Sequence, residues 1–183
     1  GAVNVLYGSS SGLTGSGDQF WTQDSDGIKD SEQANDNFGW SLAVGDFDGD
    51  GFDDLAVGAN QEALNGHPSA GSVNVMYGSS SKLRATGNQF WHQDSTGIKD
   101  KCEDFDFFAW AMTAGDYDGD GRDDLAVSAR DEDINGIMNC GIFQVIYGAS
   151  NGLNKAGNQL WYQDSPGIND AAATNENLGA AMR

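Results

Sequence analysis

Two nine-residue acidic stretches carry the most distinctive chemistry in this sequence: Asp46-Phe47-Asp48-Gly49-Asp50-Gly51-Phe52-Asp53-Asp54 and Asp116-Tyr117-Asp118-Gly119-Asp120-Gly121-Arg122-Asp123-Asp124. Carboxylates at alternate positions of a loop can converge on one point when glycine permits a sharp turn, and Ca²⁺ takes about six to eight oxygen ligands. In the first stretch Asp46, Asp48, Asp50 and Asp54 supply the acids at positions one, three, five and nine, with the main-chain carbonyl of Phe52 at seven. In the second they are Asp116, Asp118, Asp120 and Asp124, with the carbonyl of Arg122. Position seven offers only its main chain, so the exchange of Phe for Arg is expected to leave binding unaffected. The four acids at these positions repel at short range, and the same spacing recurs. Both facts favour calcium over a metal-free solvated turn, and two Ca²⁺ sites are expected.

The spacing matches only the first half of an EF-hand loop, whose bidentate glutamate comes at position twelve. Val57 or Val127 stands there in this chain. The flanks are short apolar runs, Ser41-Leu42-Ala43-Val44-Gly45 before the first acids and Leu55-Ala56-Val57-Gly58-Ala59 after them, which read as strands rather than helices.

A longer pattern positions these hairpins. Gly1-Ala2-Val3-Asn4-Val5-Leu6-Tyr7-Gly8 returns at Gly71–Gly78 and at Gly141–Gly148, a period of 70 residues. Trp21, Trp91 and Trp161, each followed by a residue and then Gln-Asp-Ser, keep the same step. One period suits a four-stranded propeller blade. Within it the strands are expected at Phe38–Gly45, Leu55–Ala59, Ser72–Tyr77 and near Gln89–Gln93. Phe38, Trp40, Leu42 and Val44 share one face of the first strand and Gly39, Ser41, Ala43 and Gly45 the other, so both faces are dry or small, as an inner strand requires. The predicted fold is all-β, with four-stranded antiparallel blades of a β-propeller and slightly under three blades over residues 1–183. Residues 1–37 end a blade, 38–107 and 108–177 form two full blades, and 178–183 supply the first strand of the next, eleven strands in all.

The run from Phe38-Gly39 through the first acidic loop to Val57-Gly58-Ala59-Asn60, then Gly71-Ser72-Val73-Asn74-Val75, resembles the FG-GAP repeat of integrin α-subunit propellers and many bacterial surface proteins. The second copy departs from it, with Phe108-Ala109 and Ser128-Ala129-Arg130 in place of the consensus. The resemblance implies a propeller, commonly seven-bladed, with calcium loops joining the first two strands of some blades. It implies no single ligand. Propellers have about four to eight blades, so this chain is expected to be part of a larger ring or to assemble head to tail with a second copy. In such blades Cys102 and Cys140 fall in connections at one end, opposite the acidic loops, and are expected close together, where a disulfide or two thiols would both be accommodated.

The net charge of −19 argues against nucleic acid and anionic membrane partners. No stretch is long and apolar enough to span a bilayer as a helix. Loops of this type often have dissociation constants of about 10⁻⁴ to 10⁻³ M, which favours an extracellular or cell-surface location. The tryptophans are expected to serve burial rather than sugar stacking. Asp24-Ser25-Asp26-Gly27 loses its second acid in the later repeats, Asp94-Ser95-Thr96-Gly97 and Asp164-Ser165-Pro166-Gly167, and is read as a turn. His67 and His92 do not recur and pair with no nucleophile, so the chain is read as non-catalytic, acting in adhesion or in binding a protein or glycan. A lectin and an accessory portion of a polysaccharide-processing enzyme remain alternatives.

Overall fold

The computed structural model describes residues 1–182, and among them every regular element is a strand. β1 (Val3–Ser9) and β2 (Gly12–Trp21) form a two-stranded sheet. β3 (Ser41–Gly45), β4 (Asp54–Ala59), β5 (Ser72–Tyr77) and β6 (Arg84–Trp91) follow as one antiparallel up-and-down sheet. β7 (Phe108–Gly115), β8 (Asp124–Ala129), β9 (Ile142–Tyr147) and β10 (Asn154–Trp161) form the next. These are propeller blades. The first strands of the two full blades lie side by side, with Trp40 and Trp110 rings 5.0 Å apart and Trp40 Nε1 donating to the Trp110 carbonyl at 3.1 Å.

β4, β5 and β8 are buried on both faces, which explains why β4 and β8 read as unbroken runs of small apolar residues instead of alternating. The expectation that the first strand is dry on both faces fails in the first blade. Leu42 and Val44 remain 49% and 57% exposed while Ala43 is buried. The reason lies in what covers the blade. The β1–β2 pair packs over its outer part through Val3, Val5 and Trp21, leaving Leu42, Val44, Leu55 and Leu6 along a groove of about 420 Å³.

Blade-to-blade contacts repeat with the sequence period. The Tyr77 hydroxyl donates to Gln89 Oε1 at 2.6 Å and accepts the Leu153 N–H at 3.1 Å, while Gln89 Nε2 donates to the Leu153 carbonyl at 3.0 Å. Tyr7, Gln19 and Leu83 make the same triangle one repeat earlier. Gly71, at φ +86°, lies so close to the backbone of Phe108 that a Cβ would overlap it, and Gly141 meets Leu178 in the same way.

Several boundaries differ from the expected ones. β3 starts at Ser41 rather than Phe38, because the Trp40 N–H closes a turn onto the Asn37 carbonyl at 2.9 Å. β7 does begin at Phe108, with Ala109 at φ 66° where the first repeat has Gly39 and an irregular register before Met112. The fourth strand runs Arg84–Trp91, since the chain leaves the sheet where Ser95 Oγ accepts the His92 N–H. The described residues hold ten strands, not eleven: residues 178–182 are turn and coil, matching Phe38–Trp40 one hundred and forty positions earlier.

Asp24, Asp94 and Asp164 each accept a backbone N–H eight residues on, from Glu32, Cys102 and Ala172, which bears out the turn reading. Trp91 is buried and Trp21 packs against the core. Cys102 and Cys140 are free thiols, each engaged elsewhere: Cys102 Sγ lies 3.8 Å from His92 Nδ1 and Cys140 Sγ 3.7 Å from the Glu132 carbonyl. Burial pushes the Cys102 thiol up to about 11.

Tyr77→Phe removes the inter-blade hydroxyl and leaves the Leu153 N–H unpaired in a buried site. A loss of about 1–2 kcal/mol in urea unfolding is expected, and an unchanged midpoint would show that the triangle adds nothing.

Candidate metal centre

Each acidic stretch forms the loop of a tight hairpin. Gly45 pairs with Asp54 and Gly115 with Asp124, so the eight residues between them must reverse the chain. Gly49 (φ 73°) and Gly51 (φ 88°), like Gly119 and Gly121, take the left-handed turns that this requires. The aspartate at position one organises the loop. Asp46 Oδ1 accepts the N–H groups of Gly49 at 2.8 Å and Asp50 at 3.1 Å, and its Oδ2 that of Gly51 at 2.9 Å. Asp116 repeats this with Gly119, Asp120 and Gly121. Asp48 and Asp50 each accept the N–H two residues on, from Asp50 and Phe52.

As a result, one carboxylate oxygen from each of Asp46, Asp48 and Asp50 lies within 4.8 Å of the others, as does one from each of Asp116, Asp118 and Asp124. Oxygen-only donors at that spacing suit a hard divalent cation. The position-nine acids do a second job. Asp54 is 1% exposed, and its two oxygens accept the N–H groups of Phe47 at 2.9 Å and Gly78 at 2.7 Å. Asp124 holds Tyr117 and Gly148 in the same manner. These carboxylates tie the loop to the end of the third strand.

The residues at position seven behave differently from each other. Phe52 is exposed. The Arg122 side chain reaches back to its own loop, with Nη1 2.9 Å from Asp120 Oδ2, and packs against Gly49 of the preceding loop. Its side chain is therefore not a bystander to the acids. In the first loop Arg84 Nη2 lies 3.9 Å from Asp50 Oδ2, a looser contact. The two loops are also joined directly: Asp123 Oδ2 accepts the Asp46 N–H at 2.9 Å, and the Asp123 N–H donates to the Asp46 carbonyl at 3.0 Å.

Electrostatically the loops hold more negative charge than the neighbouring cations offset. Burial raises the pKa of Asp48, and Asp50 and Asp46 beside it raise it further. Burial pushes Asp54 up to about 7 despite the two N–H groups that stabilise its anion, and raises Asp124 as well.

A second set of acids, not evident as a site in the sequence, lies at the opposite end of the blades. Asp36, just before the first full blade, and Glu62 within it are buried, and Asp106 and Glu132 occupy the same places one repeat later. Gln23 and Gln93, both fully buried, donate to Glu62 and Glu132. The recurring Trp-x-Gln-Asp-Ser was the available signal, because a glutamine kept at a 70-residue step beside an outer strand implies a fixed partner.

The fold and the loops together define a propeller-blade repeat with an acidic hairpin between its first two strands. A profile of the FG-GAP repeat matches residues 38–76 and 108–141, and the chain carries FG-GAP repeats at these two places. Phosphatidylinositol-glycan-specific phospholipase D of Rattus norvegicus is 35% identical over 130 residues, 70% of this chain and 14% of that protein. The same protein of Mus musculus matches to the same extent. Integrin alpha-PS2 of Drosophila melanogaster is 31% identical over 125 residues, 66% of this chain and 8% of the relative. The chain thus corresponds to a small part of each.

The raised carboxylates set a pH dependence. A group whose folded pKa lies above its unfolded value contributes stability that is present below the unfolded pKa and lost as pH rises through the folded one. For Asp54 that window runs from 3.8 to about 7. In chelator, the thermal midpoint is expected to rise as pH is lowered from about 7.5 to about 5, and a midpoint that falls over this interval would contradict the assignment.

Proposed function

We propose that this chain is a calcium-stabilised segment of a β-propeller in an extracytoplasmic protein, and that it acts by binding a protein or glycan rather than by catalysis. The observation that carries this reading is the convergence of carboxylate oxygens from Asp46, Asp48 and Asp50, and from Asp116, Asp118 and Asp124, in two hairpin loops that also touch each other. In each loop the cation site comprises the acids at positions one, three, five and nine, with the carbonyls of Phe52 and Arg122 completing the shell. A cation there offsets the mutual repulsion of the acids and holds neighbouring blades at one end. The rigid blades then present their connections as a recognition surface. Weak loops of this kind fill only where calcium is abundant, which supports a location outside the cytoplasm.

The FG-GAP repeat is a non-catalytic module. The likeness to two phospholipases D supports a second reading, in which the segment serves an enzyme as an accessory binding domain. A glycan array combined with hydrolase and lyase assays separates these readings: turnover abolished by one aspartate substitution would favour a catalytic role.

Residues 1–183 act as one partial propeller domain in this proposal, with blade boundaries at 38, 108 and 178. The outer face of the last blade supports it. Tyr147, Gln159, Phe143 and Trp161 line a groove of about 590 Å³ there. Tyr147 and Gln159 correspond by the repeat to Tyr77 and Gln89, which hold the following blade. This face is suited to a further blade, from the same polypeptide or from a second copy.

Each acidic loop is expected to take up one calcium equivalent in calorimetry, and Asp50→Asn or Asp120→Asn to remove one. Calcium at about one hundred times its dissociation constant should add about 2.7 kcal/mol to stability. No loop-dependent uptake would end this reading. Light scattering of this chain alone is expected to show mass rising with concentration, since uncovered apolar faces and strand edges favour association. A strictly monomeric species at every concentration would argue against the open-face assignment.

A further inference from the structure

We propose that Arg122 is a tethered competitor for the cation of the second acidic loop, so that the two loops take up calcium with unequal affinity, the first ahead of the second. The inference rests on the calcium reading given above and concerns what the residue at position seven does to it. Among the described residues the two loops differ in one respect. The converging carboxylates are Asp46, Asp48 and Asp50 in the first, and Asp116, Asp118 and Asp124 in the second, where Asp120 at position five is absent from the set. The backbone engages both position-five acids alike: Asp50 Oδ1 accepts the Phe52 N–H at 3.0 Å, and Asp120 Oδ1 the Arg122 N–H at 2.9 Å. The other oxygen sets them apart. Asp120 Oδ2 accepts Arg122 Nη1 at 2.9 Å, whereas Asp50 Oδ2 has Arg84 Nη2 at 3.9 Å, beyond hydrogen-bond distance.

The arginine is held in place by its neighbours. A Cβ added at Gly49 would lie 3.0 Å from Arg122 Nε and 3.1 Å from its Cγ, and one at Gly148 would lie 3.0 Å from the Arg122 Cβ, so the stem runs between the first loop and the residue after β9. Nε is buried there without a hydrogen-bond acceptor, and Asp120 is the acid that pairs with the guanidinium among the described residues. A surface ion pair usually gives little, because two mobile side chains must be ordered to make it. Here packing against Gly49 has already restricted the arginine. For a cation to use Asp120 Oδ2 the guanidinium must withdraw, and because its stem stays packed, its positive charge remains beside the site and opposes the incoming ion. In the metal-free loop that same charge offsets part of the repulsion among the acids. Arg122 therefore stabilises the empty loop and disfavours the filled one, and both effects lower the affinity. Phe52, at the same position of the first loop, is exposed and uncharged.

The test titrates CaCl₂ in a calorimeter into the full chain carrying Asp50→Asn, which leaves the second loop to be read, alone and combined with Arg122→Met or Arg122→Lys. Methionine keeps an unbranched stem against Gly49 without the charge, and lysine keeps the charge. Arg122→Met is expected to tighten the second-loop equivalent about fivefold, the upper range for an exposed ion pair, and Arg122→Lys to leave it close to that of the Asp50→Asn chain. In chelator Arg122→Met should lower the thermal midpoint, and saturating calcium should narrow that difference. A side chain that served packing alone would lower the midpoint equally in both conditions and leave the affinity where it was. Affinity that is unchanged or weakened by Arg122→Met overturns the proposal and leaves the calcium reading standing. Absence of any uptake that Asp120→Asn removes overturns that reading for the second loop, and the proposal with it.

Discussion

A buried carboxylate that must find donors holds this structure together at one end. Asp54 is cut off from water, so its anion is tolerable only with strong hydrogen bonds, and it obtains them from Phe47 in its own loop and Gly78 after the third strand. Three chain segments are thereby fixed relative to one another. Asp124 imposes the same geometry on the next blade. The loop cannot adopt another shape without stranding that charge, and this rigidity places Asp46, Asp48 and Asp50 at a common point.

The same economy of partners governs the contacts between blades. Tyr77, Gln89 and Leu153 close a small hydrogen-bonded triangle across the sheet boundary, and a glycine next to the following blade allows the backbones to approach. Because β4, β5 and β8 are buried throughout, directional polar contacts at the blade edges set how the blades stack, while apolar burial supplies most of the driving force. Packing is most complete where two full blades meet, around Phe47, Val75, Phe108 and Val127.

Negative charge is concentrated at both ends of the blades, but it is handled in different ways. At the hairpin end the acids are largely exposed, except the position-nine residue, and backbone N–H groups satisfy much of their demand. At the other end Glu62 and Glu132 are fully buried, and side-chain amides do that work. The two ends differ also between repeats, for Gln33 donates to Glu62 in the first, where the second has Glu103 at the corresponding position.

Much of this could be read from the sequence. The 70-residue period is visible by self-comparison of the sequence, and the acidic hairpins and the bounds of the third strand, Ser72–Tyr77, are local patterns. Hydrophobic alternation and the spacing of Gly with Asp carry them, because they depend on residues within one turn or strand of each other. Tertiary structure decided the rest. The start of β3 at Ser41 depends on the turn closed between Trp40 and Asn37, and the half-exposed Leu42 and Val44 depend on which blade covers them. That Arg122 grips Asp120, that Asp123 caps the Asp46 N–H, and that Cys102 and Cys140 are free thiols are matters of side-chain direction in three dimensions. The burial of Glu132 likewise follows from two connections, far apart in sequence, meeting at one end of a blade, where neither segment alone contains the reason.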